Sequence, residues 1–284
     1  MRRFVLEGKT CATLMSSERI PVWEPATGLK TIARWALPNA VMGRLRDYYL
    51  TRKVLANKEY VESEMTILHS LVMPGQVAVD IGANVGYYTK LLSQLVGPSG
   101  RVFSFEPISE NFKILDGVVR KGRLTNVRRF PFALDREPGT LHMVIPDRSD
   151  FTGFYQARLA GHEERGRKQQ VSVVALDRFW SEETLPSVDF IKCDAEGNEL
   201  RILEGGIELL KRSHPSLLLE IQRKTGTDVF DLLHALGYKS FILHGDFVEI
   251  NQFDPKFWNY FFLEQTGASE TLDRLASSVS KSPT

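Results

Sequence analysis

The stretch "VAVDIGANVGYYTK", Val77–Lys90, decides how the chain is read. Small and β-branched apolar residues around Asp80 have the character of a buried strand; Gly82, Asn84 and Gly86 break the run, and helix-forming residues follow. A strand feeding a glycine turn and then a helix aims backbone N–H groups at whatever lies above the sheet, and glycine lets that ligand come close to the main chain. The same two textures alternate on the C-terminal side. Strands are predicted near 77–81, 102–105, 127–132, 171–174, 188–193, 217–221 and 240–243, and helices near 86–96, 109–121, 199–211 and 228–236, with Ser109 as an N-cap. Such alternation with short connections predicts an α/β domain, a mostly parallel sheet covered by helices.

Upstream, Pro21, Pro25, Gly28 and Pro38 punctuate short apolar pieces, so residues 1–58 are expected to form an N-terminal helical and loop extension capping the substrate side. Within it the spacing predicts a helix from Asn39 to about Lys53, and a further helix from Glu59 to Val72 is stopped by Pro74-Gly75. The main domain is placed at 59–252, with a C-terminal helical segment and frayed tail at 253–284. Residues 139–170 interrupt the alternation. They begin with the strand-like "TLHMVI" and end in "GHEERGRKQQ", too charged for a core, and read as an insertion over one sheet edge: a solvated loop, or alternatively a lid over substrate.

With 36 Lys+Arg against 35 Asp+Glu, the formal net charge of +1 offers no positive field for a polyphosphate backbone, so nucleic acid is excluded as the expected partner. The basic clusters at Arg120–Arg123 and Arg128-Arg129 read as solvated faces. Two cysteines, Cys11 and Cys193, fit a reducing cytoplasm, and no signal-peptide core or membrane-spanning run is present in the sequence.

A lone glycine turn says little; the next acidic strand end adds to it. "RVFSFEP" puts Glu106 at the tip of the adjacent predicted strand, where a carboxylate can accept both ribose hydroxyls of an adenosine group. Two cofactor classes share that geometry. A nicotinamide dinucleotide needs room for a pyrophosphate, but Asn84 stands where GxGxxG has its second glycine and no third glycine follows. S-adenosylmethionine has no phosphate: Asp80 suits its ammonium, and turn N–H groups with Thr89 suit its carboxylate. A second strand, in "VDFIKCDAEGNELRILEGG", ends in Lys192, Asp194, Glu196 and Glu199. Parallel strands end on one side of a sheet, so Asp194 and Glu196 belong near the same crevice.

Taken together, "VAVDIGANVGYYT", "FSFEP", "ALD", "FIKCDAEGNELRILEGG" and "PSLLLEI" resemble the FkbM family of S-adenosylmethionine-dependent methyltransferases over about Glu59–Ile221. The resemblance implies a class I, Rossmann-like fold: a three-layer α/β/α sandwich around a seven-stranded sheet whose last strand is antiparallel. It implies O-methylation of a small-molecule hydroxyl on a sugar, glycolipid or polyketide-like acceptor. It places Asp80, Gly82, Asn84 and Gly86 at the methionine end, Glu106 with Pro107 at the ribose, Phe132-Ala133 at the adenine, and Asp194 at the methyl-transfer centre.

Methyl transfer requires alignment, and a weakly nucleophilic hydroxyl gains from a carboxylate that takes its proton. Asp194 is the first candidate for that base, Glu196 the second, and Glu220, ending "SLLLE", the third. Three acids on one rim also leave open a divalent cation, which is not the expectation. His142 and His244 are the histidines worth testing; Trp23, Trp35 and Trp258 are expected in cores rather than stacked on sugar. A nicotinamide-dependent oxidoreductase and a methyltransferase-like module without turnover are the competing readings, and homo-oligomerisation is left open.

Overall fold

The structure, a computed structural model, describes residues 3–4, 39–56, 62–146, 158–159, 166–183, 185, 187–265 and 272–274. Its strands are β1 (Arg3–Phe4), β2 (Val77–Ile81), β3 (Arg101–Phe105), β4 (Val127–Phe130), β5 (Ala133–Asp135), β6 (Gly139–Pro146), β7 (Arg158–Leu159), β8 (Gly166–Ala175), β9 (Phe190–Cys193), β10 (Ser216–Glu220), β11 (Tyr238–His244), β12 (Asp246–Ile250) and β13 (Asn259–Glu264). The α-helices are α1 (Asn39–Ala56), α2 (Leu68–Leu71), α3 (Tyr87–Val96), α4 (Ser109–Lys121), α5 (Leu176–Glu182), α6 (Glu199–Glu204), α7 (Ile207–Ser213) and α8 (Gly226–Ala235).

Among the described residues the main sheet has nine strands in the order β1-β12-β11-β13-β10-β9-β2-β3-β4. Strands β4, β3, β2, β9 and β10 are mutually parallel, and β13 runs antiparallel between β10 and β11. That is the class I, Rossmann-like order with its antiparallel last strand, widened at one edge by β12 and β1. Strands β2 and β9 are buried along their whole length, as strands covered on both faces must be. Val79, Ile81, Phe103, Leu217 and Leu219 face α5–α8, while Ala78, Val102, Phe190 and Leu218 face α2, α3 and α4, which gives the expected three layers.

Several expectations need correction. Within 253–284, expected as a helical segment with a tail, Asn259–Glu264 is β13, inside the sheet, and the boundary at 252 would cut it off. The helix expected at 199–211 is two helices that meet at Gly205-Gly206, where a Cβ on Gly205 would lie 2.3 Å from the Asp135 carbonyl oxygen, so only glycine allows this close approach to β5. The helix expected from Glu59 to Val72 is a 3-10 turn at Ser63–Ile67 followed by α2. Ser109 opens α4 rather than capping it; its hydroxyl donates to Glu110, and Ile108 holds the N-cap position. The strand expected at 171–174 is part of β8, which lies in a second sheet ordered β5-β8-β6-β7. That sheet takes up most of the described part of the expected 139–170 insertion.

Helix α1 packs on the outside of α4 through Leu50 and Val54 against Ile114 and Val118. The Lys90 ammonium donates to the Val54 and Leu55 carbonyls (3.1 and 2.9 Å), satisfying acceptors that the end of a helix leaves open. Most of the expected cap, with Trp23, Trp35 and Cys11, lies outside the described residues, as do His162 and the tail "SSVSKSPT". No helix among the described residues is long and apolar enough to cross a membrane.

Candidate active site

The carboxyl ends of β2, β3 and β9 open onto a cleft. One wall is the turn after β2, with Gly82 and Asn84; the next is Glu106, Pro107 and Ile108 after β3; the third is Asp194, Ala195 and Glu196 after β9. The far end is apolar, closed by Ala133 and Leu134 of β5, Leu141 and Met143 of β6, and Ile202 of α6.

The two turns at the centre lock together. Gly82 has φ +71, and a Cβ there would fall 1.8 Å from the Asp194 carbonyl oxygen, so only glycine lets the turn lie against the loop after β9. The turn is also satisfied internally. The N–H groups of Gly82 and Ala83 donate to the Phe105 carbonyl (3.0 and 2.9 Å), that of Gly86 to the Ala83 carbonyl, and that of Asn84 to Glu106 Oε2 at 2.8 Å. These four donors are therefore not offered to a ligand.

Glu106 is buried on the cleft wall. Its Oε2 holds Asn84 N–H, its Oε1 holds Ile108 N–H at 2.8 Å, and the Asn111 side chain hydrogen-bonds to the same carboxylate. Burial pushes its pKa up to about 7, opposed by those two N–H groups, by Asn111 and by Lys192.

Behind the turn lies a charged row on one face of the sheet, where Ser104, Asp80 and Lys192 are cross-strand neighbours. Asp80 is fully buried and accepts from the Thr89 hydroxyl at 2.5 Å, which also meets Ser104 Oγ at 2.9 Å. Burial raises the Asp80 pKa, countered by Lys192 and Thr89. Lys192 Nζ lies 3.4 Å from Asp194 Oδ2, 4.0 Å from Asp80 Oδ1 and 3.4 Å from the Gly82 carbonyl, above the Tyr88 ring. Burial lowers its pKa, but the charges of Asp194, Asp80 and Glu62 outweigh that and hold it protonated. Tyr88 donates its hydroxyl to Glu62, tying the 3-10 turn to this row.

The loop after β9 is shaped by Glu199, whose Oε1 accepts Ala195 N–H (2.9 Å) and Gly197 N–H (3.0 Å) while Glu196 sits at φ 52. Asp194 remains partly exposed at the cleft. Glu220 ends β10 beside it; burial first, then the charges of Asp194 and Glu196, raise its pKa to about 8.

Of the predicted site residues, Gly82, Asn84, Glu106, Pro107, Ala133, Asp194 and Glu196 line the cleft. Asp80, Gly86, Thr89, Phe132 and Glu220 do not. Behind the turn Thr89 donates to Asp80 Oδ2, while Asp80 Oδ1 has no hydrogen-bond partner among the described residues, and Phe132 packs among Phe105, Phe130 and Phe179. Sequence reasoning missed Ile108, Asn111, Leu141, Met143, Asn198 and Ile202 as lining residues. The alternation of "TLHMVI" was the available signal for Leu141 and Met143. His142 points out of β6 and is exposed, and His244 packs edge-on against Phe257. Trp258, expected in a core, is 53% exposed beside the end of β10, where its carbonyl accepts Ile221 N–H at 2.8 Å. Among the described residues no group of three or more His, Cys, Asp or Glu side chains is arranged to hold a metal ion.

The family model described as the methyltransferase FkbM domain matches residues 80–240, more than half of the chain and all three strand ends that form the cleft. The chain belongs to the FkbM methyltransferase family. Among solved structures it is similar to the methyltransferase FkbM of Methylobacillus flagellatus, with 16% identity over 78% of this chain and a TM-score of 0.45. It spans 59% of that protein's length. It is also similar to fibrillarin of Aeropyrum pernix with bound S-adenosyl-L-methionine, at 14% identity, TM-score 0.41, and coverage of 70% of this chain and 73% of that one. A third is a SAM-dependent O-methyltransferase of Thermotoga maritima, at 12% identity, TM-score 0.40, and coverage of 75% and 69%. No match was found among curated proteins.

Proposed function

We propose that this FkbM-family protein is an S-adenosylmethionine-dependent O-methyltransferase acting on a hydroxyl of a small molecule, a sugar, glycan or polyketide-like natural product. The observation that carries the reading is Glu106: a buried carboxylate on the cleft wall, held in place by two backbone N–H groups and the Asn111 side chain, which leaves one of its four lone-pair sites for a further donor. A ribose offers such a hydroxyl. It would sit between the apolar recess of Leu134, Leu141 and Met143, which suits a base, and the acidic loop at Asp194, where the reacting end belongs.

The cofactor supplies an electrophilic methyl group on a sulfonium. The protein's part is to align the acceptor oxygen with it, which is worth roughly 7–11 kcal/mol, and to accept the hydroxyl proton, worth about 10²–10⁴-fold. Asp194 is assigned to the proton and Glu196 to holding the acceptor. Glu220, its pKa raised to about 8, keeps its proton near neutrality and is better suited to donating a hydrogen bond than to acting as base. Asp80 and Thr89 support the turn from behind.

Calorimetry with S-adenosylhomocysteine tests the first half. Binding is expected, and Glu106→Ala should weaken it by at least about 1.5 kcal/mol, the low end for hydrogen bonds to a charged group. Unchanged affinity removes the ribose assignment, and no binding removes the cofactor. Labelled-methyl incorporation across neutral sugars and polyketide-like alcohols then tests the acceptor class.

A further inference from the structure

We infer that the outward face of α1 seats the protein on an anionic lipid surface. The inference goes beyond the methyltransferase reading and stands independently of it. Helix α1 is apolar on two sides. Its inner side is taken up by α4: Leu50 and Val54 pack on Ile114 and Val118, and Thr51 lies so close to Gly117 that a Cβ there would meet its hydroxyl at 2.8 Å. The outer side carries Val41, Leu45, Tyr48 and Tyr49, at 39, 52, 54 and 48% exposure. Steps of three and four residues put these side chains on one face of a helix. They are four of the six large hydrophobic side chains exposed among the described residues, so they form a patch rather than scatter.

The charge around the patch has one sign. Arg44 and Arg52 are exposed on the same face, a turn to either side of Tyr48. Lys121 reaches over from the end of α4, its ammonium 4.6 Å from the centre of the Tyr48 ring, and Arg123 is exposed in the turn that follows. The acids of this region are matched: Asp47, the one acid of α1, binds Arg46 at 2.7 Å, and Asp116 binds both Arg120 and Arg129.

That combination fits one occupant. An apolar strip bordered by tyrosine takes the boundary between acyl chains and headgroups, and arginine and lysine reach from there to anionic headgroups while their stems lie on the apolar surface. A second copy of the chain would set a basic face against a basic face. A nucleic-acid backbone would use the cations and leave Val41 and Leu45 in water. Helix α1 is not apolar enough to cross a bilayer, so the contact is peripheral and reversible.

Sedimentation of the full chain with sucrose-loaded vesicles tests this, using phosphatidylcholine alone and equal parts phosphatidylcholine and phosphatidylglycerol. The mixed vesicles should bind at least about tenfold more tightly, and lose most of that advantage at about 1 M salt, where charges are screened within about 3 Å. Two double variants at exposed positions divide the contact: Arg44→Glu with Arg52→Glu removes its charge, and Leu45→Ser with Tyr49→Ser its apolar part. Each should weaken binding to mixed vesicles by about tenfold or more. Lys211→Glu with Arg212→Glu, on α7 at the opposite face of the sheet, changes the net charge as much as the arginine pair does and should leave binding within about twofold. Equal affinity for the two kinds of vesicle overturns the inference without any variant having to fold, and so does undiminished binding after Leu45→Ser with Tyr49→Ser. A dimer in solution that dissociates in that variant also overturns it, because a second copy then holds the face.

Discussion

The turn after β2 and the loop after β9 are built alike and used differently. Each leaves a buried strand, passes a non-glycine residue at positive φ, Asn84 or Glu196, and enters a helix. In the first, the N–H groups of Gly82, Ala83 and Asn84 end on the Phe105 carbonyl and Glu106, so the turn reads as a fixed shape that aims a neighbouring carboxylate. In the second, Glu199 gathers the N–H groups from beneath, and the side chains of Asp194 and Glu196 are left at the cleft. The difference teaches that a glycine turn at a strand end need not itself be the ligand's contact surface. The function proposed above gives the chemistry to the strand ends on either side.

The interlock between the two is the first thing to break. Gly82→Ala puts a methyl group into the Asp194 carbonyl, and neither backbone can yield alone. It is expected to cost more than about 4 kcal/mol, seen as loss of the cooperative thermal transition. A variant that melts close to the parent would show that the turns are not coupled. Next, Asp194→Asn should lower methyl transfer to an identified acceptor by about 10²–10⁴-fold, with S-adenosylhomocysteine affinity little changed. If Asp194→Asn and Glu196→Gln both keep full transfer, the second loop only aligns, and the contrast drawn here weakens.

Smaller effects sharpen the comparison. Glu199→Ala strips two N–H groups of their acceptor and should cost about 1–3 kcal/mol in urea unfolding, whereas Glu199→Gln, whose amide oxygen can still accept, should stay near the parent. The smallest effect concerns Glu220. Its folded pKa, about 8, lies above the ordinary value of 4.5, so it favours the folded state at low pH and that contribution is lost as pH rises through 8. Glu220→Gln should therefore match the parent near about pH 5 and melt roughly 2–4 °C higher near about pH 9. Equal melting at both would place Glu220 in water.

The parallel half of the sheet and the acids on its rim were legible because each strand is a short apolar run ending in a charge or a glycine, a pattern that burial on both faces imposes. Strand β13 was not legible. "NYFFLE" is apolar on both sides of the pleat, so it lacks the alternation that marks a strand, and its place between β10 and β11 is set by pairing that no local pattern reports. The second sheet hid for the opposite reason: Gly166–Gln170 is largely exposed and charged, and its pairing with β6 is a property of the fold rather than of its composition. At the site, Glu106 and Asp194 could be placed from strand ends. Asn198 could not, because its place on the cleft lining goes with the Leu134 carbonyl that its amide meets, 64 residues away in the chain.

Because β13 fills the gap between β10 and β11, the middle of the sheet closes only after residues 259–264 have emerged during synthesis. Until then a nascent chain on the ribosome holds two strands with bare edges, both able to pair with another polypeptide. Shortened chains ending at 252 should therefore be recovered as aggregates rather than as a smaller enzyme.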